Sequence, residues 1–196
     1  MKTIVWDVDD VLNDLMRLWL EDYQQKHSLK KKLFLKDITE NPPLRMIKTS
    51  LNEYHRSIDA FRLSGIYGSM EPLRDVVNWF KDHGNRARHI ALSSVPLKAA
   101  HLSAKWVFEN FGQWIRTYHF VPSKRYNEKI PCYDGGKTDY LKWMNRSDII
   151  VVDDNEPSIK GALDLGLKGI IFPRPWNKAE KSIKETLETI KEMISE

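Results

Sequence analysis

The sequence predicts an α/β fold: a doubly wound parallel sheet with a small helical insertion after the first strand. Three observations predict it. Five short, β-branched apolar runs recur along the chain, each followed by a helical pattern. The runs are apolar throughout rather than alternating, which suits strands covered on both faces, as in parallel sheets. Between the first run and the helix near residue 72 lie about sixty residues with no obvious strand.

The first strand is read at 2–8, Lys-Thr-Ile-Val-Trp-Asp-Val. Next comes the insertion, 15–69. Leu12, Leu15, Met16, Trp19 and Tyr23 fall on one helix face, Asn41-Pro42-Pro43 is a turn or break, and 51–61 is a second helix. Ser64-Gly65-Ile66-Tyr67-Gly68 reads as a hinge back to the core, so 1–14 and 70–196 form the core domain. Leu73, Val76, Val77 and Phe80 then mark a helix between Pro72 and Gly84. Strands at 88–93 and 117–121 flank a helix at 97–111, which follows Pro96 and ends at Gly112. The clearest strand is 148–153, Asp-Ile-Ile-Val-Val-Asp. A helix at 156–165, a strand at 168–172 and an amphipathic tail with Ile183, Leu187, Ile190 and Ile194 complete the chain.

Composition narrows the function classes. With 196 residues, 41% hydrophobic and 11% aromatic, the chain has enough apolar material for a core, which excludes global disorder. No apolar run approaches the roughly 18 residues of a membrane span. Asp7, Asp9 and Asp10 so near Met1 argue against a signal peptide. Cys132 is the single cysteine and makes neither an internal disulfide nor a thiolate zinc site, so a reducing, cytoplasmic setting is expected. The net charge of +4 is dilute. The one basic run, Lys30-Lys31-Lys32 with Lys36, reads as a solvated face rather than a nucleic-acid site. Dimerisation through the insertion or the tail, giving a homodimer, is compatible with the sequence.

The informative residues sit where strands end, since ligands of open parallel sheets bind beyond the carboxyl ends of the strands. Asp7 and Asp9 are spaced i, i+2, so an extended chain projects both to one side. The strand at 148–153 runs into Asp153-Asp154. Carboxylates gathered this way repel one another without a cation, and hard oxygen donors with no His or Cys nearby favour Mg²⁺. Taken singly, Asp154, Asp10 and Asp14 read as helix caps or loop residues. Two further pieces suit an anion. Ser93-Ser94 precede a helix, and Lys137 follows Asp134-Gly135-Gly136 and is expected to fold back onto the acids.

These four pieces, in this order, resemble the haloacid dehalogenase superfamily of phosphohydrolases. Its first motif, D-x-D-x-[TV]-[LV] after a strand, is matched by Asp7-Val8-Asp9-Asp10-Val11-Leu12. Leu92-Ser93, Lys137 and Val152-Asp153-Asp154 match the second, third and fourth. The resemblance implies strand order 3-2-1-4-5 and a cap at 15–69. It implies catalytic roles for Asp7, Asp9, Ser93 and Lys137. It also implies Mg²⁺ held by Asp7, the Asp9 carbonyl and an acid at 153 or 154. A narrower likeness is to 5′(3′)-deoxyribonucleotidases. It rests on Asp7-x-Asp9-Asp10-Val11-x-x-Asp14, on Ser93-Ser94-Val95-Pro96, on Lys105-Trp106 and on Asp153-Asp154-Asn155-Glu156-Pro157. The stretch Phe172-Pro173-Arg174-Pro175-Trp176-Asn177 also looks like that branch. Asp10 stands where that branch usually has Gly, and Asn155 replaces an Arg that some members place near the substrate. The expected partner is a small phosphorylated substrate, a nucleotide on the narrower likeness, bound with help from Ser94 and Lys105. The alternatives are a sugar phosphate, a nucleic-acid 3′-phosphate end, or a phosphate-binding module without turnover. Trp19, Tyr23, Phe34, Tyr54 and Phe61 supply aromatics that a nucleobase can stack on, while each taken alone reads as filling the insertion's own small core.

Overall fold

The computed structural model describes residues 1–29, 31–123, 125, 129–131 and 133–195. Lys30 and Cys132, read above as part of a basic run and as a lone reduced thiol, lie outside the described residues. In chain order the elements are β1 (Thr3–Trp6), α1 (Leu15–Lys26), α2 (Leu44–Ile47), α3 (Leu51–Arg62), α4 (Gly65–Gly68) and α5 (Arg74–His83). They continue with β2 (Arg88–Val95), α6 (Leu97–Phe111), β3 (Ile115–Pro122), α7 (Lys137–Met144), β4 (Ile149–Asp153), α8 (Glu156–Asp164), β5 (Lys168–Ile171) and α9 (Ile183–Ser195). Among the described residues no helix is long and apolar enough to cross a membrane.

The five strands form one parallel sheet in the order β3-β2-β1-β4-β5. β1 is central, with Trp6 level with Ala91 on one side and Val152 on the other. Both faces are apolar because alternate residues of each strand feed different cores. Ile4, Trp6, Ala91, Ile150 and Val152 join α5, α6 and α9 on one face. Val5, Ile90, Leu92, Ile149 and Val151 join α7 and α8 on the other. That two-sided burial is why the strands read as unbroken apolar runs.

Several expected boundaries move. The first strand stops at Trp6 rather than Val8, although Asp7 N–H still donates to Val152 O (2.8 Å). β2 runs on to Val95, and the helix after Pro72 begins at Arg74. The segment read as a hinge is a single helical turn, α4. Among the described residues the insertion has no separate core. Trp19, Tyr54, Ile58, Phe61 and Tyr67 belong to the same apolar cluster as Trp6 and Phe80. Phe34 is exposed, with Lys32 and Lys36 over its ring.

Candidate functional site

The loop after β1 is set by its own polar side chains. Val8 O accepts from Leu12 N–H (2.9 Å), which turns the chain sharply. Asp10 sits at φ +64°, in the left-handed region that favours glycine and that Asp tolerates better than most residues. This explains why a residue other than Gly fits there, and the side chain is put to use. Asp10 Oδ1 accepts from Met16 N–H (2.9 Å) in the first turn of α1. Asn13 Oδ1 accepts from the N–H groups of Asp10 and Leu15. Asp14, at the N-cap position, makes no cap bond and pairs with Arg17 and Arg174 instead.

Asp7, Asp153 and Asp154 bring carboxylate oxygens within 4.8 Å of one another. Lys137, the first residue of α7, lies between two of them. Its Nζ is 2.7 Å from Asp7 Oδ1 and 2.7 Å from Asp153 Oδ2. The close approach of α8 to α7 helps fix that lysine, because a Cβ at Gly161 would lie 2.2 Å from Thr138 Oγ1. Asp7 Oδ1 also accepts from Val8 N–H (2.7 Å), which leaves Oδ2 for other chemistry. Asp153 Oδ1 accepts from Asn155 N–H (2.9 Å), and Asp154 Oδ2 from Trp176 Nε1 (2.7 Å). Asp154 is therefore not a cap; Asn155 caps α8 by accepting from Ser158 N–H.

Burial dominates the electrostatics. It raises the Asp7 carboxyl well above the usual range, with Lys137 opposing and the charges of Asp153 and Asp154 adding to it. Burial and Asp153 push Asp154 up to about 7, and burial pushes Asp10 to about 7 against the pull of Arg174. Burial alone would lower Lys137, yet Asp153 and Asp7 hold its ammonium above the ordinary lysine range. Three buried carboxylates with one lysine among them lack positive charge. The donors are all hard oxygens on a rigid sheet edge, so the set fits Mg²⁺.

The acids open into a cavity of about 310 Å³. Ser93 and Ser94 line it from β2, and Tyr54, Ile58 and Arg62 from α3. Ser93 is 1% exposed, and its Oγ makes no close hydrogen bond among the described residues, the Tyr118 hydroxyl being the group that interacts with it. A buried hydroxyl without a close partner is costly unless a ligand supplies one. Of the five aromatics noted in the insertion, Tyr54 alone lines this cavity.

Asp9 takes a different direction from Asp7. Its Oδ2 accepts from Arg62 Nε and Nη2 (3.1 and 2.9 Å), and its Oδ1 from the Tyr67 hydroxyl and Asn13 Nδ2 (both 3.1 Å). Its side chain is outside the acidic cluster because the strand has already ended at Trp6. Lys105 is not brought to the site at all. It lies on the outer face of α6, 69% exposed and 3.7 Å from Glu109, one helical turn on.

Sequence reasoning missed Arg62, Tyr67 and Arg174. Arg174 donates to the main-chain oxygens of Asp10 and Asn13 and pairs with Asp14. Trp176 and Asn177 hold Asp154. The stretch 172–177 was visible as a motif, and its place explains it: it braces the loops after β1 and β4 together.

No protein-family model matches the chain, and no curated protein matches its sequence. Solved structures share its fold. An HAD-superfamily hydrolase from Geobacter sulfurreducens is 16% identical with a TM-score of 0.55, covering 96% of this chain and 99% of that one. A candidate β-phosphoglucomutase from Thermotoga maritima is 15% identical with a TM-score of 0.59, covering 98% and 99%. The Mycobacterium tuberculosis Protein Tyrosine Kinase A is 14% identical with a TM-score of 0.64, covering 92% and 87%. The architecture is thus that of HAD-type hydrolases, a five-stranded parallel sheet in the order 3-2-1-4-5. None of these three is named as a nucleotidase, and one is named a kinase, so the fold by itself leaves the reaction open.

Proposed function

We propose that this chain is a Mg²⁺-dependent phosphomonoester hydrolase working through an aspartyl-phosphate on Asp7. The observation that carries the reading is Asp7 itself. It is a buried carboxylate beside Lys137 and two further acids, facing the cavity that Ser93 and Ser94 also line. Asp7 Oδ2 attacks phosphorus and the ester P–O bond breaks. Asp9 delivers a proton to the departing alcohol, then takes one from the water that attacks phosphorus. The bond to Asp7 breaks, inorganic phosphate leaves and the carboxylate is restored. Ser93 and Lys137 hold the phosphoryl oxygens, and Lys137 offsets their charge as the transition state forms. Asp7, Asp153 and Asp154 would hold Mg²⁺, which supplies charge neutralisation between nucleophile and phosphate.

Residues 15–69 act as the cap and select the substrate, over a core of 1–14 and 70–196. The substrate is a small phosphomonoester. The finer reading, a deoxynucleoside monophosphate, rests on the motif resemblance and is supported by Tyr54 as a surface for stacking a base. Phosphate release from 5′- and 3′-deoxynucleotides, ribonucleotides, sugar phosphates and 4-nitrophenyl phosphate, with Mg²⁺ and with chelator, tests it. Mg²⁺-dependent release led by deoxynucleotides is expected. Release led by other esters removes the nucleotide assignment, and silence from folded protein across the panel removes the enzymatic one.

A further inference from the structure

The carboxylate of Asp9 is anchored by the insertion as well as by the loop that carries it. Arg62, the last residue of α3, places two N–H groups on Asp9 Oδ2, while Tyr67, in α4, and Asn13 hold Oδ1. With each oxygen held separately, the plane of the carboxyl group is fixed. Arg62 is itself held. Its Nη1 lies 3.6 Å from Asp59 Oδ1, three residues earlier on α3. Asp59 is 1% exposed and accepts from Arg125 Nε and Nη2 (2.8 and 2.7 Å), with Lys98 Nζ 3.3 Å away. The guanidinium sits between the half-buried Asp9 and the buried Asp59 and cannot swing from one without losing the other. Charge-assisted contacts of this kind, with two N–H groups on one carboxylate oxygen, fix direction as well as distance.

We propose that Arg62 is a positioning residue for Asp9: it aims the proton-transferring carboxylate from the insertion, with Asp59 and Arg125 holding it in place. The proposal rests on the acid–base role given to Asp9 above. A group that must protonate a departing oxygen needs correct aim more than affinity, and a misplacement of about 1 Å costs roughly 100-fold. The cost depends on the ester. An alkyl alcohol leaves poorly without a proton, whereas 4-nitrophenolate leaves readily without one. A residue that aims Asp9 therefore affects alkyl esters selectively. A residue that merely binds the phosphate, or merely supports the fold, affects both esters alike.

The experiment measures kcat/KM, which reports steps up to ester cleavage, for the best alkyl phosphate of the panel and for 4-nitrophenyl phosphate. Arg62→Ala is expected to lose about 100-fold on the alkyl ester and less than about tenfold on the aryl ester. Added guanidinium is expected to restore part of the alkyl activity. Arg62→Ala leaves Asp9 and Asp59 short of a cation and threatens folding, so Arg62→Lys is the second variant. It keeps the charge, loses the paired contact, and is expected to show the same selectivity at about tenfold on the alkyl ester. Asp9→Asn is the reference. If Asp9→Asn is selective and both Arg62 variants lose the two activities equally, the positioning role is overturned. If Asp9→Asn shows no selectivity, the acid–base reading of Asp9 fails, and the proposal with it.

Discussion

The two sides of the cavity are charged by opposite rules. Among the described residues, Asp7, Asp153 and Asp154 on the sheet side share one cation, Lys137. On the insertion side, again among the described residues, Asp9 and Asp59 share three: Arg62, Arg125 and Lys98. The first set is short of positive charge and is stable only with protons or an external cation. The second is complete as built. Acids around one cavity therefore do not all mean the same thing: the number of cations within reach separates a charge-deficient set from a balanced one.

Removing charge from the deficient side should break function without breaking the fold. Asp7→Asn is expected to lose more than about 1000-fold in turnover. Its melting temperature in metal-free buffer should be no lower than that of the native chain, because one repelling carboxylate has gone. An active Asp7→Asn enzyme would sink the covalent mechanism. Lys137→Met does the reverse and leaves three buried acids with no cation. Without Mg²⁺ it should cost about 3 kcal/mol, measured by denaturant unfolding. If stability is unchanged, the lysine is not balancing those charges.

The two sides should also answer pH with opposite signs. Asp10 and Asp154 have folded pKa values raised to about 7, so the folded state keeps their protons longer than the unfolded state. Stability in metal-free buffer should then fall as pH rises from about 4 to 7, by a few kcal/mol in order of magnitude, and Asp154→Asn should flatten that limb. Burial pushes Asp59 upward, but Arg125, Lys98 and Arg62 hold it below its ordinary value. Its contribution is present above about pH 4 and is lost as pH falls through its folded value. Asp59→Asn should flatten only that acid limb.

Mg²⁺ should stabilise the folded chain by about 3 kcal/mol at a hundredfold excess over its dissociation constant, or roughly 5–10 °C. The shift should vanish in Asp153→Asn and persist in Asp59→Asn, as read by calorimetry. The smallest effect belongs to neither side. Lys105→Ala should leave activity within about twofold and stability within about 0.5 kcal/mol, as for other exposed substitutions.

Much of this was legible in the sequence for a simple reason. Strand-forming runs and the acids that end them are local features, and the parallel arrangement follows from uniform burial. Asp7, Ser93, Lys137 and Asp153 were found because their position at strand ends or a helix start is written in a few neighbouring residues. Arg62 was not, because nothing around it in α3 marks a partner 53 positions away. Lys105 failed for the converse reason. It matched a motif, but the face of α6 that carries it points outward, while Trp106 turns in and donates to Met70 O. Asp154 read as a cap because Pro157 signals a helix start, and Asn155 takes that duty one residue later.

Arg174 has a consequence for how the molecule comes together. It grips the loop after β1 across 164 positions of sequence, whereas Lys137 and Asp153 are only 16 apart. Contacts that close long loops bear the larger entropy cost and tend to form late. The lysine–acid pair closes a short loop, while the turn after Asp7 is braced only through a contact from 172–177 that closes nearly the whole chain. A chain in which 172–177 has not yet docked therefore holds Asp153 beside Lys137 without the braced turn after Asp7.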